Sequence, residues 1–508
     1  MSGSAMKATA ISRFASAVTL LALMGSATAF AQQSDGPNVV LILADNVGYG
    51  DLGSYGGGEL RGAPTPRLDT LAQEGLRFTQ FLVEPACTPS RAALLTGQYS
   101  IRNGLSLIAI EGSPYTLPAN AFTMGELFKS VGYATAVFGK WHLGSAPQSL
   151  PTAHGFDEFY GIPPDISWDA ATYPATIALT HSINEPYEEL LRKGPQIVEA
   201  KAGGPLHMVK PFTEEVRANI DNELVDKSID FMRRQKAAGK PFLLYLPFSM
   251  GHFPNLPSQQ FKGKSRIGNY GDKIMEGDYH VGQILDTLKE LGIDDNTIVV
   301  FASDNGPQGQ TAREHGNQGT PDMGNSGPFR GELGEATEGA IRTAAIIRWP
   351  GKVKPNTTTY TMFSIMDFLP TFAHIVGGKM PTDRPIDGID QIEVLLGTAV
   401  GRRENLLSFI GADLVAARWK QWRIYFTDVH PTGIGPQRQP GMFSASAPMA
   451  GYPKIYNIEM APHEDLIVAA MFGWVSGPAL KTVDEYMATL KKYPNPPPPN
   501  ITHFRSGG

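Results

Sequence analysis

With 508 residues the chain is long enough for one large domain and a smaller one, and for a substantial buried core. A hydrophobic share of 42% and a charged share of 18% fit a soluble globular enzyme and exclude a disordered chain. A formal net charge of -6, without a block of five like charges, excludes nucleic acid and anionic membrane surfaces as main partners, because both select concentrated Lys and Arg.

The chain opens with Lys7 and Arg13 ahead of FASAVTLLALMGSATAFAQQ, an apolar stretch that ends in Ala29-Phe30-Ala31. A positive start, an apolar centre and a small-x-small site describe a secretory signal over 1–31, cut before Gln32. Its end, Gly25 to Thr28, is too weakly apolar for a membrane anchor. The expected location is periplasmic or secreted, with no stable membrane insertion.

From Gly36 to about His374, apolar strand-like runs alternate with helical patterns, the rhythm of an α/β domain with a mostly parallel central sheet. NVVLILA (38–44) is a continuous β-rich run, as expected of a strand buried on both faces. TPRLDTLAQEGLRF follows with helical spacing at Leu68, Leu71 and Leu76 and a stop at Gly75. YATAVFG (133–139), PFLLYLPF (241–248) and NTIVVFAS (296–303) are further core strands. YHVGQILDTLKELGI is an amphipathic helix that Gly292 ends. Strand signals thin out between 145 and 230, so loops and excursions are expected there. From about Gly401 short strands are expected, with alternation at Trp419, Trp422, Ile424 and Phe426, then a helix over 483–492 and the tail PNPPPPN. The expected division is a signal over 1–31, a catalytic domain over 32–400, and an α+β subdomain over 401–508.

Every polar cluster with chemical character follows the C-terminal end of one of these strands, where open α/β sheets hold their ligands. Asp45-Asn46 and Asp304-Asn305 offer carboxylate and amide oxygens for a hard cation such as Ca2+ or Mg2+, although the same residues also make ordinary turns. Lys140 and His142 stand two apart, so an extended segment points both the same way, toward an anion and its protons. His252 is a lone histidine after a strand. Cys87 is the only cysteine, so in an exported protein it is an inert buried thiol, a reactive nucleophile, or a residue that does not stay a cysteine. Pro89 and Ser90 fit a helix N-terminus, and Arg91 lies one turn on from Cys87, able to face the same ligand.

The string Cys87-Thr88-Pro89-Ser90-Arg91, followed by Leu95-Thr96-Gly97, resembles the signature of the type I sulfatases, in which this cysteine is oxidised to formylglycine. PNVVLILADNVGYGDLG, GKWHLG, His252-Phe253-Pro254, SDNG and FRGELGEATEGAIR stand in the family's order. YPKIYNIEMAPHEDL is similar to its closing segment, so the likeness runs from Pro37 to Leu466. The resemblance implies an arylsulfatase-like hydrolase of sulfuric esters on an alkaline-phosphatase-like α/β fold, with helices flanking the sheet and a smaller C-terminal α+β domain. It implies one divalent cation, usually Ca2+, held by Asp45, Asn46, Asp304, Asn305 and the formylglycine at Cys87. Arg91, Lys140, His142 and His252 match the family's sulfate- and proton-handling residues. A small-molecule sulfate ester is the implied substrate, and a formylglycine-generating enzyme or its equivalent the implied partner in maturation. In the chemistry this implies, one hydroxyl of the hydrated aldehyde attacks sulfur while His252 protonates the leaving alcohol. The second, with His142 as base, expels sulfate by re-forming the aldehyde, whereas a serine would be stranded as its ester.

Two positions depart from the family pattern. Asn46 stands where many members have a second acidic ligand, and Leu333 stands where the R-G-x-K segment has lysine. One change removes a negative charge and the other a positive one, so they are expected to compensate; Leu333 also favours an aryl or otherwise hydrophobic ester. The rival readings are a phosphate or phosphonate ester hydrolase on the same fold, and a non-catalytic anion-binding protein. Trp168, Asp169, His207 and His315 fall on expected rim loops, where substrate contact and packing are equally compatible with the sequence.

Overall fold

The computed structural model describes residues 36–109, 115–166, 194–308, 324–429 and 451–497, and the backbone of 446–448. The expected signal, Trp168, Asp169, His315 and the end of the Pro-rich tail lie outside these residues. A large sheet is built from β1 (Asn38–Ala44), β2 (Leu76–Leu82), β3 (Ala134–Lys140), β4 (Glu158–Ile162), β5 (Gln196–Lys201) and β6 (His207–Pro211). It also takes in β7 (Phe242–Pro247), β8 (Thr297–Ser303), β9 (Arg342–Arg348), β10 (Thr357–Thr359) and β11 (Phe363–Ser364). Their order is β10-β2-β9-β8-β1-β7-β3-β4-β5-β6, with β11 also pairing with β2. The central run β8-β1-β7-β3-β4 is parallel throughout, in register such as Leu41 beside Val300 and Tyr245. β9 lies antiparallel between β8 and β2, and β5 and β6 extend the far edge antiparallel.

The burial of β1 explains its sequence. Val39, Leu41 and Leu43 enter one core, and Val40, Ile42 and Ala44 enter the other, so every position from Val39 to Ala44 is apolar. Helices α1 (Pro66–Gln73), α2 (Cys87–Thr96), α3 (Met124–Ser130), α4 (Glu214–Ala238), α5 (Gly268–Glu290), α6 (Phe368–Val376) and α7 (Ser476–Leu490) cover the two faces. α1, α4 and α5 pack on the second core, while α2, α3, α6 and α7 pack on the first. Strands β12 (Asn405–Ile410), β13 (Asp413–Trp419), β14 (Trp422–Tyr425) and β17 (Lys454–Asn457) form a separate antiparallel sheet, beside the short pair β15 (Thr427–Val429) and β16 (Ser446–Pro448). Leu406, Leu407 and Ile424 of that sheet join the α2 side of the core. Among the described residues, no helix is long and apolar enough to cross a membrane.

The expected strands fall within a residue or two of β1, β3, β7 and β8. Three local expectations are corrected. α1 stops at Gln73, and Leu76 opens β2 instead of closing a helical stripe. The stretch 145–230, expected as loops, holds β4, β5, β6 and the start of the 25-residue α4. Arg217, Asp221, Ser228 and Gln235 share the buried face of α4 with Ile220, Leu224 and Phe231, which blurs the apolar periodicity that would have revealed it. α5 likewise begins well before Tyr279, because its first turns bury Asp272, Lys273 and Glu276; Lys273 Nζ lies 2.9 Å from Asp221 and 3.0 Å from Glu276.

Candidate active site

The parallel run β8-β1-β7-β3-β4 carries its polar clusters to one rim. Asp304 and Asn305 follow β8, Asp45 and Asn46 follow β1, His252 follows β7, Lys140 ends β3, and Asp165 follows β4. α2 starts over this rim at Cys87, with Ala86 extended before it. Pro89 is tolerated because it sits in the first turn, where its missing N–H would have no helical partner. The Ser90 hydroxyl accepts from Glu84 N and donates to Glu84 O, both at 3.0 Å, and pins the helix to the end of β2. Gly251 (φ 90°) lets the segment ahead of His252 pass over Asp45, since a Cβ there would lie 2.5 Å from the Asp45 carbonyl oxygen.

Cys87 Sγ lies 3.4 Å from Asp45 Oδ1 and 3.6 Å from Asn46 Oδ1. Arg91, one turn on, is wholly buried and turns toward the carboxylates: Nη2 is 2.7 Å from Asp304 Oδ2 and 3.2 Å from Asp45 Oδ2. Its Nη1 donates to the carbonyl of Lys140 at 2.9 Å. Lys140 Nζ reaches Asp45 Oδ2 at 2.8 Å and Asp165 Oδ1 at 2.9 Å. Two carboxylates and two cations thus sit around the Cys87 sulfur, all sealed from solvent. Removing either cation would leave a buried charge unpaired, a loss of about 3–5 kcal/mol.

The expectation that Lys140 and His142 point alike from extended chain is corrected. His142 has φ 59°, in the left-handed region, and the two converge on Asp165 through that turn. His142 Nε2 lies 3.1 Å from the carbonyl oxygen of Ala109, which can only accept, so the neutral ring carries its proton there and Nδ1 keeps a lone pair toward Asp165 Oδ1, 3.8 Å away. His252 is arranged in the same sense: Nδ1 faces the Phe253 carbonyl at 2.5 Å, and Nε2 stands 3.5 Å from Asp165 Oδ1. Burial, then the charge of Lys140, holds His142 down to about 3 and His252 down to about 4, so both rings are neutral near pH 7.

All nine residues singled out in the sequence meet here: Asp45, Asn46, Cys87, Arg91, Lys140, His142, His252, Asp304 and Asn305. His207 does not; it opens the edge strand β6, beyond β4 and β5. Sequence reasoning missed three residues. Asp165 gathers Lys140, His142 and His252, and only its place after a strand could have drawn notice. Gln308 Oε1 accepts from Asn46 Nδ2 and from Phe253 N, both at 3.1 Å, which aims Asn46 Oδ1 at the sulfur. Arg217 of α4 donates to the carbonyls of His252 at 3.0 Å, Pro254 at 2.8 Å and Ile166, clamping the segments that bear His252 and Asp165.

A second layer reaches in from the C-terminal sheet. Glu464 accepts from the Tyr425 hydroxyl, from Glu338 N at 3.4 Å and from Arg330 Nε at 3.4 Å. That fixes the 330–338 segment, whose Leu333 N donates to Pro307 O at 2.9 Å and whose Gly334 N donates to Pro85 O at 2.8 Å. Leu333 is buried, and the Leu333-Gly334 backbone ties the residues after Asn305 to those before Cys87.

Asp45, Cys87 and His252 present ligand atoms within 4.8 Å of one another, a group that could hold a metal ion, and Asn305 Oδ1 is buried beside them without a hydrogen-bond partner among the described residues. Burial pushes Asp45 up, but Lys140, His252 and Arg91 together hold it well below the usual carboxylate range; Asp304 is pushed up to about 6 by burial and by Asp45. As an unmodified thiol Cys87 is raised well above its ordinary value, by burial first and Asp45 next, which disfavours a thiolate nucleophile.

Residues 37–378 match the family model described as Sulfatase. The chain is 33% identical to steryl-sulfatase of Rattus norvegicus, over 94% of each chain. It is 35% identical to N-acetylgalactosamine-6-sulfatase of Canis lupus familiaris, over 80% of this chain and 75% of that one. Among solved structures, PsFucS1 sulfatase from Pseudoalteromonas sp. superposes with a TM-score of 0.83 at 33% identity, covering 92% of this chain and 93% of that one.

Proposed function

The chain belongs to the sulfatase family and hydrolyses sulfate esters, and from that premise we infer that the rim around Cys87 is where it does so. The observation that carries this reading is the position of the Cys87 sulfur, against Asp45 Oδ1 and Asn46 Oδ1 inside the sealed ring of two carboxylates and two cations. Asp45, Asn46, Asp304 and Asn305 would hold a Ca2+, or a Mg2+, together with residue 87; such an ion, when bound, supplies positive charge to the attacking hydroxyl and to the sulfuryl oxygens. Oxidation of Cys87 to formylglycine supplies a hydrated aldehyde, whose two hydroxyls allow attack on sulfur and then release of sulfate.

The chain's own residues do the rest. Arg91 and Lys140 fix the charge of the carboxylates around residue 87, and Lys140 reaches outward to the ester's anionic group. His252 Nε2, 3.5 Å from Asp165 Oδ1, carries no proton in the free chain; beside an arriving anion its proton affinity rises, so it takes a proton from solvent and gives it to the leaving alcohol. His142, with its Nδ1 lone pair held inward by the bond from Nε2 to Ala109, takes the proton from the second hydroxyl. In this reading residues 32–400 carry the chemistry and 401–508 brace it through Glu464, in a protein exported after removal of 1–31. The relatives' names span a steroid and an amino-sugar sulfate, so kinship leaves the alcohol open; buried Leu333 in place of a cation supports an aryl or hydrophobic one.

The test is a mass spectrum of the tryptic peptide 78–91, FTQFLVEPACTPSR, from protein made in its native host, with turnover of an aryl sulfate beside an aryl phosphate. An aldehyde or its hydrate at residue 87 with preferred sulfate turnover is expected. Quantitative unmodified cysteine in an active enzyme would overturn the formylglycine route, and preferred phosphate turnover would overturn the sulfate assignment of the site.

A further inference from the structure

We propose that Lys273, buried between α4 and α5, positions His252 for turnover by joining the two carboxylates that anchor the loop carrying it. The inference rests on the sulfatase reading of the site and adds a positioning group outside the ring around Cys87. The loop leaves β7 at Pro247 and passes His252 before it reaches Ser258. At its start, Asp221 of α4 accepts from Ser249 N at 3.0 Å and from Ser249 Oγ at 2.8 Å. Ser249 O in turn accepts from His252 N at 3.2 Å. At its end, Glu276 of α5 accepts from Ser258 N at 3.3 Å. Lys273 Nζ lies 2.9 Å from Asp221 Oδ2 and 3.0 Å from Glu276 Oε2, so one ammonium links both anchors.

Burial makes this arrangement informative. Lys273, Asp221 and Glu276 are 2%, 1% and 0% exposed, so bulk water does not stand in for any of these bonds. A buried group of ions adds little stability over well-packed apolar side chains of the same volume. Apolar side chains, however, could not bond Ser249 N, Ser249 Oγ or Ser258 N, and the loop would be held by packing alone. Gly277 of α5 clears the space into which Met250 packs, since a Cβ there would run into Met250 Sδ; Met250 O accepts from Asp45 N at 3.0 Å. One residue of the loop thus meets both α5 and the rim. Displacing a reacting group by about 1 Å costs on the order of a hundredfold in rate, so an anchor remote from the chemistry reaches turnover through the imidazole it places.

The experiment uses the full-length metal-loaded protein with residue 87 oxidised, and measures kcat/KM for nitrophenyl sulfate and phenyl sulfate in a double-mutant cycle. Lys273→Met and Ser249→Ala are each made in the native and in the His252→Ala background. Ser249→Ala removes a single hydroxyl and decides the question alone should Lys273→Met fail to fold. Nitrophenoxide leaves with little help from a proton, which keeps the His252→Ala background measurable. In the native background Lys273→Met is expected to lose about tenfold to a hundredfold on nitrophenyl sulfate and Ser249→Ala less, with both losses nearly absent once His252 is alanine. Equal losses in both backgrounds, or no loss in either, would overturn the proposal and leave Lys273 as a support for the fold. Phenyl sulfate separates this from the proton-donor reading. If His252→Ala slows phenyl sulfate no more than nitrophenyl sulfate, His252 is not the donor, while coupling of Lys273 to His252 keeps the positioning. If it slows phenyl sulfate far more and the losses stay additive, the donor stands and the positioning falls.

Discussion

Glu84 offers a measurement of how the Cys87 helix is seated. Its side chain is 4% exposed; Oε1 accepts only a long 3.5 Å bond from Ser100 N, and Oε2 has no hydrogen-bond partner among the described residues. Burial, with a smaller push from Asp387, raises its pKa from 4.5 to about 8. The unfolded chain gives up this proton near 4.5 and the folded chain keeps it until about 8, so the native state binds more protons in between. Stability from this group is therefore full below pH 4.5 and is lost as pH rises to about 8, at about 1.4 kcal/mol per unit. Between pH 6 and 8 the loss is about 2–3 kcal/mol. At about 2.1 cal/mol/K per residue, 508 residues give about 1 kcal/mol/K, so the thermal midpoint should fall about 2–3 °C over that range because of Glu84 alone. Glu84→Gln cannot titrate. Its midpoint should have a flatter pH profile than the native protein by that amount, whatever its absolute level, in scanning calorimetry at matched scan rate. Parallel profiles for the two proteins would refute the burial argument, and a steeper profile for the variant would reverse its sign.

Arg217→Ala should lower kcat about a hundredfold, because the His252 and Asp165 segments lose their shared clamp, and Arg217→Lys should recover only part of that, its single ammonium reaching fewer of the three carbonyls. A change in Tm with kcat intact would make Arg217 a packing residue only. Asn46→Asp sets a carboxylate against Gln308 Oε1, now 3.1 Å from Asn46 Nδ2, so it and Leu333→Lys should each impair activity while the double variant recovers much of it; additive losses would end the compensation idea. Exhaustive chelation should abolish turnover and lower Tm by about 3 °C relative to protein at a hundredfold excess of Ca2+ over its dissociation constant, since that excess is worth about 2.7 kcal/mol. Unchanged activity and Tm after verified metal removal would exclude a bound cation from both roles.

Much of the site was legible because its chemistry is written in short local strings. β1, β3, β7 and β8 are buried on both faces and read as unbroken apolar runs, and the first polar residues after them mark the rim. What escaped the sequence depends on long-range partners. α4 hides its helical period because Arg217 and Asp221 lie on its inner face, where they bond to loop backbone and to Lys273. Asp165, Gln308 and Glu464 carry no local signature: each acquires meaning only from residues brought beside it by the fold. His142 meets Lys140 at Asp165 through its left-handed backbone, which strand alternation in the sequence does not foresee.

The sheet order has a consequence for the time course of synthesis. Among the described residues β1 is the first strand made, yet it lies between β7 and β8, and its second neighbour is complete only at Ser303. At roughly 5–20 residues per second, more than ten seconds separate the central strand from the partner that closes over it. Until β7 is made NVVLILA is an apolar ribbon with no strand beside it, and until β8 is made it keeps one open edge, while Cys87, 1% exposed in the finished fold, lies on open chain within reach of the modifying enzyme proposed above. Once β8 docks and Asp304 closes on Arg91, that access ends, so the window for the proposed oxidation of the thiol would be set by the distance along the chain from β1 to β8.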